Sequence, residues 1–390
     1  MKVCILTSAH PPYDARIFHK EARSLHRAGY DVTLIAPGAP GREDPARPGT
    51  ELTEGIRVRY VPPFQSRAER FFNLKKIYRA ALEEQADIYH FHDPDLIKTG
   101  LKLQRNLRKP VIYDVHEYFA DSLRTRYWIP KPLRPLAAGL FDRMEKRAAR
   151  KFAGIITVNS HMDRLFKTYN PEGEILYNYP LKEQFAFPRP AGQPEGGLPR
   201  IFYLGGINRE RGLEVILEAM VLVREKFPRA VCEMVGPVDT GGLAPGYLPL
   251  DPWLERGGIT LRGKVLYNEV PAILQAGGIA LVPLLPTLNY QKAIPVKLIE
   301  YMASGLAVVG SRFGYIENIL RENSCGRLAD PGDPVSLAAE ICFLLSHPQE
   351  TLTCAQNGWE AFRRKYCWEN EEKKLLALYS RILGKNTKVK

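Results

Sequence analysis

A chain of 390 residues, 45% hydrophobic and 25% charged, has a globular composition and enough length for two domains rather than one core. No apolar run approaches the ~20 residues that span a bilayer, Val3–Thr7 is strand-sized rather than a signal peptide, and the six cysteines offer neither a C-x-x-C pair nor zinc spacing, which fits a reducing compartment. The net charge of +12 is uneven, with 30 Lys and Arg against 21 Asp and Glu in residues 1–180 and 25 against 22 in the rest. That excess is either a solvated surface or the footprint of an anionic partner, such as a membrane surface or a lipid-pyrophosphate acceptor. Nucleic acid is not expected, because no recognition signature accompanies the charge.

In chain order, Val3–Ser8 reads as a strand and Asp14–Ala28 as a helix, opened by Asp14 as N-cap and closed by Gly29. Strands follow at Asp31–Ala36 and Ile56–Val61, then a helix over Arg67–Glu84. Ile88–Phe91 and Val111–Val115 are buried strands flanking a helix over Leu96–Leu107. A basic helix covers Leu136–Phe152, Gly154–Val158 is a strand, and Ser160 opens one more helix. This alternation predicts a parallel, doubly wound sheet. Phe187–Pro199 is rich in Pro and Gly and reads as a linker.

The pattern then restarts. Strands are expected at Arg200–Leu204, Ala230–Val235, Ile279–Leu285 and Leu306–Gly310, and helices at Leu213–Lys226, Val296–Ser304, Pro334–Leu345 and from Thr351 to Ile382. Two such halves facing a central cleft would bind ligands at the carboxyl ends of their strands.

The most informative segment is AIPVKLIEYMASGLAVVGS, Ala293–Ser311. Pro295 suits the first helical position. The N–H groups of Val296, Lys297 and Leu298 would then form an anion site beside the Lys297 charge, and a diphosphate fits it. Glu300 lies one turn on, on a helix apolar nearly all round. It needs partners, either sugar hydroxyls or a structural Lys or Arg. A second anion signal is the strand ending at Gly205-Gly206, followed by Arg209, Arg211 and Gly212 before a helix. It is neither G-x-G-x-x-G nor a P-loop, so dinucleotide and ATPase chemistry do not follow.

Together these residues resemble the retaining glycosyltransferases of family 4, with the GT-B fold: α/β, two Rossmann-like doubly wound domains facing a cleft. The carriers are P-x-K-x-x-E-Y-M-A-S-G from Pro295 to Gly305, the loop Gly205–Gly212, and RIFHKEARSLHRAGYDVTLIAP, HFHDPDL and YDVHEYF in the first half. The resemblance implies a nucleotide-diphosphate-sugar donor, a glycan or lipid-linked acceptor, retention of configuration and no cofactor. It assigns the ribose hydroxyls to Glu300, the diphosphate to Arg211 and Lys297, and the base to the Gly263–Val265 backbone. His116 would face the transferred sugar, and Asp14 and Arg16 the acceptor at the cleft mouth. It also implies an acceptor domain over 1–185, a linker at 186–199, a donor domain over 200–370, and a helix at 371–390 returning to the first domain. The expected location is cytoplasmic, including peripherally on the inner membrane face.

Some residues depart from the family pattern. An acid is expected eight residues before Glu300, where Lys292 stands, so Lys292 or Asn289 would do its work. Pro11-Pro12-Tyr13-Asp14 replaces a glycine pair, and Gly206 a second basic residue. An epimerase of the same fold and a non-catalytic nucleotide-sugar binder are the alternatives. Asp93-Pro94-Asp95 looks like a D-x-D metal motif but ends a buried strand, and His10, His90, His92 and His116 lack ligand spacing, so no metal is expected. Arg143, Lys146, Arg147, Arg150 and Lys151 form either a solvated helix face or a rest for anionic headgroups.

Overall fold

The computed structural model describes residues 1–38, 49–63, 67–126, 129–188, 190, 199–244 and 246–387; the side chains of a few helical residues, Asn289 among them, fall outside the description. Most of the expected linker Phe187–Pro199 also lies outside the described residues. The chain forms two compact units, Met1–Asn178 with Asn370–Lys390, and Tyr179–Glu369.

The first unit holds the strands β1 (Lys2–Leu6), β2 (Asp31–Pro37), β3 (Thr50–Thr53), β4 (Ile56–Val61), β5 (Ile88–Phe91), β6 (Val111–Val115), β7 (Gly154–Thr157) and β8 (Gly173–Ile175). Their order is β3-β4-β2-β1-β5-β6-β7-β8. All neighbours are parallel except β3 with β4. Chain order reverses between β1 and β5, which makes the ends of those strands the switch point where ligands collect.

Strand alternation divides the buried residues into two sets. Cys4, Leu6, Tyr89, Phe91, Val111, Tyr113 and Val115 share a core with Ile77 and Ala81 of the helix Arg67–Glu84, Leu103 of Ile97–Leu107 and Ala148 of Arg134–Ala149. His90 and Asp114 fall in the other register. His90 there meets Tyr379 of the final helix, Trp368–Thr387, its Nδ1 3.0 Å from the Tyr379 hydroxyl.

The first helix starts later than expected. Asp14 Oδ1 accepts the N–H groups of Arg16 at 2.8 Å and Ile17 at 3.0 Å, so it does cap the chain. Ile17–Ala22 then winds as a wide π-type turn before Arg23–Arg27 becomes α-helical. Sequence periodicity also passed over β3, β8 and several short helices, because edge strands and single turns carry too few apolar positions to show a period.

The second unit holds β9 (Arg200–Leu204), β10 (Val231–Val235), β11 (Ile259–Gly263), β12 (Ile279–Val282), β13 (Ala307–Ser311) and β14 (Gly326–Ala329). The order β11-β10-β9-β12-β13-β14 is parallel throughout, with the switch between β9 and β12. Strand β12 stops at Val282, short of the expected Leu285, because Pro283 cannot donate to the ladder. Among the described residues no helix is long and apolar enough to cross a membrane.

Candidate active site

In the second unit the candidate residues gather at the carboxyl edge of the sheet. β9 delivers Gly205 with φ +110, a backbone that side chains rarely adopt. A Cβ there would lie 3.1 Å from Arg211 Nη1 and 3.6 Å from Lys297 Nζ, so two cations crowd the bare glycine. Arg211 is placed by its own loop: Asn208 accepts its N–H at 3.1 Å, and Gly212, at φ +87, turns the chain into the helix Leu213–Lys226. A side chain at Gly212 would strike the Pro283 carbonyl after β12.

Lys297 lies in the first turn of the helix Val296–Ala303 and is 8% exposed. Its Nζ meets no hydrogen-bond acceptor among the described residues and sits 3.8 Å from the centroid of the Tyr203 ring. Burial drives its pKa well below the ordinary lysine value; Arg211 adds to this, and Glu300 opposes it. Neither Arg211 nor Lys297 has a carboxylate within ion-pair distance among the described residues. An anion bearing two or more charges is the complement of this arrangement.

Two expectations here are corrected. Pro295 is not the first helical residue but the cap before it, with extended ψ of 117°. The Leu298 N–H donates back to the Pro295 carbonyl at 3.0 Å, because the first turn is tight. The N–H groups of Val296 and Lys297 are therefore the ones left at the open end.

Glu300 is 5% exposed and lies beside Tyr267; burial first, then this carboxylate, raises the Tyr267 pKa. Gly263 ends β11 with φ +76, and its carbonyl accepts the Gly236 N–H at 2.8 Å, so that carbonyl is already engaged; Val265 follows in the same loop. Three tyrosines missed by sequence reasoning complete the surroundings. Tyr203 lies under Lys297 and donates to the Gly206 carbonyl at 2.7 Å. The Tyr290 hydroxyl accepts from Arg211 Nε at 3.1 Å. Tyr267 is the third. No one-dimensional signal marks them, since each comes from a different element.

The first unit presents its own edge. Asp93 Oδ2, at the end of β5, accepts the Thr7 hydroxyl and the Ser8 N–H, both at 2.7 Å, while Asp95 Oδ1 accepts the Ser8 hydroxyl at 2.7 Å. The Asp93-Pro94-Asp95 carboxylates thus staple the β1 loop across the switch point.

His116 follows β6 and is half-buried, its Nε2 3.2 Å from His92 Nδ1 and 3.6 Å from Asp114 Oδ1. His10, after β1, packs its ring edge-on to His116 at 5.3 Å and pairs with Asp14 at 3.3 Å. The histidines that seemed scattered along the chain therefore meet at one place, because β1, β5 and β6 are neighbours in the sheet.

Arg16 is a correction. It does not stand at an exposed mouth; it is 4% exposed and fully engaged. Nη2 donates to Asp114 Oδ2 at 2.8 Å, Nε pairs with Glu21 Oε1 at 2.8 Å, and Nη1 donates to the Leu176 carbonyl at 2.9 Å. Burial would raise the Asp114 carboxyl, but Arg16 and then His116 hold it well below the usual range. Burial pushes Glu21 well up despite Arg16, and the nearby Asp114 adds to the rise. Burial also lowers His92 to about 4. Glu21, His90, His92 and Asp114 each place a ligand-type atom within 4.8 Å of the others, and the Arg16 guanidinium supplies positive charge to both carboxylates.

Residues 15–178 match Glycosyltransferase Family 4, and residues 198–347 match Glycosyl transferases group 1. The chain is similar to the phosphatidyl-myo-inositol mannosyltransferase of Mycolicibacterium smegmatis, 22% identical over 374 residues that cover 94% of this chain and 90% of that protein. Similarity to the D-inositol 3-phosphate glycosyltransferase of Corynebacterium urealyticum is 27% over 186 residues, 46% of this chain and only 42% of that relative's length. The fold is similar to that of Anabaena HepE in complex with UDP-glucose, with a TM-score of 0.67, 14% identity, and coverage of 98% of this chain and 100% of that one. Two parallel doubly wound units, their candidate residues at the sheet edges and two family matches that together span most of the chain lead to one conclusion: this protein belongs to the family 4 glycosyltransferases of the GT-B fold and is a glycosyltransferase.

Proposed function

We propose that the enzyme takes its sugar from a nucleotide-diphosphate-sugar bound by the second unit and transfers it, with retention of configuration, to a glycan or lipid-linked acceptor. The observation that carries this reading is the buried Lys297 ammonium, without a hydrogen-bond acceptor among the described residues, facing Gly205 together with Arg211. Cleaving a nucleotide-sugar leaves a diphosphate, and two fixed cations with a helix start stabilise that charge as it develops. Glu300 takes the ribose hydroxyls, with Tyr267 beside the carboxylate. The backbone from Gly263 to Val265 meets the base, and His116 serves the transferred sugar. The leaving phosphate assists deprotonation of the acceptor on the same face. HepE, solved with UDP-glucose, supports the donor class.

Calorimetric titration tests the donor site: a nucleoside diphosphate should bind the wild type, and the Lys297→Ala protein should lose that affinity while keeping affinity for the nucleoside. Incubating nucleotide-sugar with candidate glycan and lipid-linked acceptors tests the rest. Epimerised donor without transferred sugar, or donor binding with no product from any acceptor, would overturn the transfer step.

A further inference from the structure

The helix Arg134–Ala149 buries Ala138, Glu145, Ala148 and Ala149 on one side. Its opposite side carries Leu136, Leu140, Arg143 and Arg147, spaced by four, three and four residues, so that they run as a single stripe. Leu133, just before the helix, and Lys151, just after it, extend the line. The leucines are not covered: Leu133 is 52% exposed, Leu136 59% and Leu140 57%. From Lys131 to Lys151 every exposed side chain is leucine, proline, arginine or lysine. The acids of this segment are withdrawn, Asp142 onto Lys146 at 2.7 Å and Glu145 into the core under the Tyr113 hydroxyl.

The neighbouring helix Ile97–Leu107 continues the pattern. Leu101 lines a shared groove with Leu140 and Arg143, and Lys98, Lys102 and Arg105 are exposed. An apolar line flanked by basic side chains on two adjacent helices matches a bilayer surface, where acyl chains and anionic headgroups lie within a few ångströms of each other.

We propose that this face of the first unit docks on an anionic phospholipid surface, with Leu133, Leu136 and Leu140 entering the headgroup boundary and Arg143, Arg147 and Lys151 contacting lipid phosphates. Nucleic acid fits less well, because a phosphate backbone has no use for three aligned, uncovered leucines. The surface deepens the lipid-linked acceptor reading, yet its residues are separate from those assigned to the donor, so vesicle binding and sugar transfer are measured apart. It also redistributes the basic residues of this helix. Lys146 is turned to Asp142 and Arg150 lies over the Tyr169 ring at 5.2 Å, leaving Arg143 and Arg147 on the stripe.

Flotation with vesicles is the test. The protein should float with phosphatidylcholine mixed with phosphatidylglycerol and not with phosphatidylcholine alone, and high salt should release it. Arg143→Glu with Arg147→Glu should weaken binding at least about tenfold, from roughly fivefold per charge. Leu136→Ser with Leu140→Ser should weaken it by a similar factor without altering the salt dependence. Lys226→Glu, in the second unit, should change nothing. Circular dichroism confirms that each variant is folded. Equal flotation of the leucine variant and the wild type would overturn the proposal. So would RNA binding that ignores the leucines while vesicles are ignored, or a dimer that the leucine substitutions dissociate while lipid binding stays intact.

Discussion

Arg16 and Asp114 lie ninety-eight positions apart in the chain, and the guanidinium donates to the carboxylate at 2.8 Å with both side chains almost wholly out of water. The same guanidinium pairs with Glu21, so one cation holds two buried acids. Removing it should therefore act on folding. We expect Arg16→Leu to destabilise the first unit by about 3–5 kcal/mol, the cost of stranding a buried charge. Urea unfolding followed by fluorescence measures this. An unchanged midpoint with only a raised acceptor KM would return Arg16 to a surface role.

Lys297 should show opposite signs in stability and in binding. Its buried ammonium faces Tyr203 and, among the described residues, no acceptor. Lys297→Met should stabilise the unliganded protein by ~1–3 kcal/mol, because an uncompensated charge leaves the interior. The same substitution should weaken diphosphate binding by about 1.5–3 kcal/mol, the value of a charged hydrogen bond. Thermal shift with and without nucleoside diphosphate reads both, and a loss of stability in the free protein would contradict the account.

The depressed Lys297 pKa also sets a pH dependence. Its folded pKa lies below its unfolded value, so between the two the unfolded chain binds more protons and stability rises with pH. Diphosphate binding favours the charged form and should draw in a proton wherever the free lysine is neutral. Calorimetry in buffers of different ionisation enthalpy detects that uptake. Binding enthalpies independent of buffer across the alkaline range would count against it.

Glu300→Gln should keep the fold and lose nucleotide affinity, because an amide accepts two ribose hydroxyls less well than a carboxylate. Tyr267→Phe, which removes only the hydroxyl beside Glu300, should produce a smaller loss in the same direction. If neither dissociation constant moves, Glu300 is a structural acid.

Glu145 accepts a hydrogen bond from Tyr113 at 2.7 Å, and burial raises its pKa to about 7 from 4.5 in spite of that bond. The folded state thus holds the proton more tightly than the unfolded chain. Stability associated with this group is complete below pH 4.5 and falls as pH rises towards about 7. Glu145→Gln should remove up to about 3 kcal/mol of that pH dependence. Unfolding midpoints of variant and wild type should agree near pH 4 and diverge by pH 8, with the variant higher. Parallel curves would show that the carboxyl is ionised throughout.

Much of this molecule was legible without coordinates. The alternation of buried β-branched runs with amphipathic segments dictates two parallel, doubly wound sheets, since parallel strands need helices on both faces. Gly205, Gly212 and the Pro295–Glu300 segment could be singled out because backbone freedom, a helix start and a lysine are local properties. Other features were decided only in three dimensions. Arg16 became a buried counter-ion because sheet order sets β6 where Asp114 can meet the turn Ile17–Ala22 that carries Glu21. Tyr203, Tyr267 and Tyr290 joined the proposed donor site because three separate elements end at one sheet edge. Leu133, Leu136 and Leu140 look like ordinary core leucines in one dimension. They prove uncovered because the small residues Ala138, Ala148 and Ala149 take the inward face, Ala138 against Leu123 and Ile129 and the other two against the sheet core. Local chemistry is written in adjacent residues, whereas partnership depends on which strands become neighbours, and distant segments settle that together.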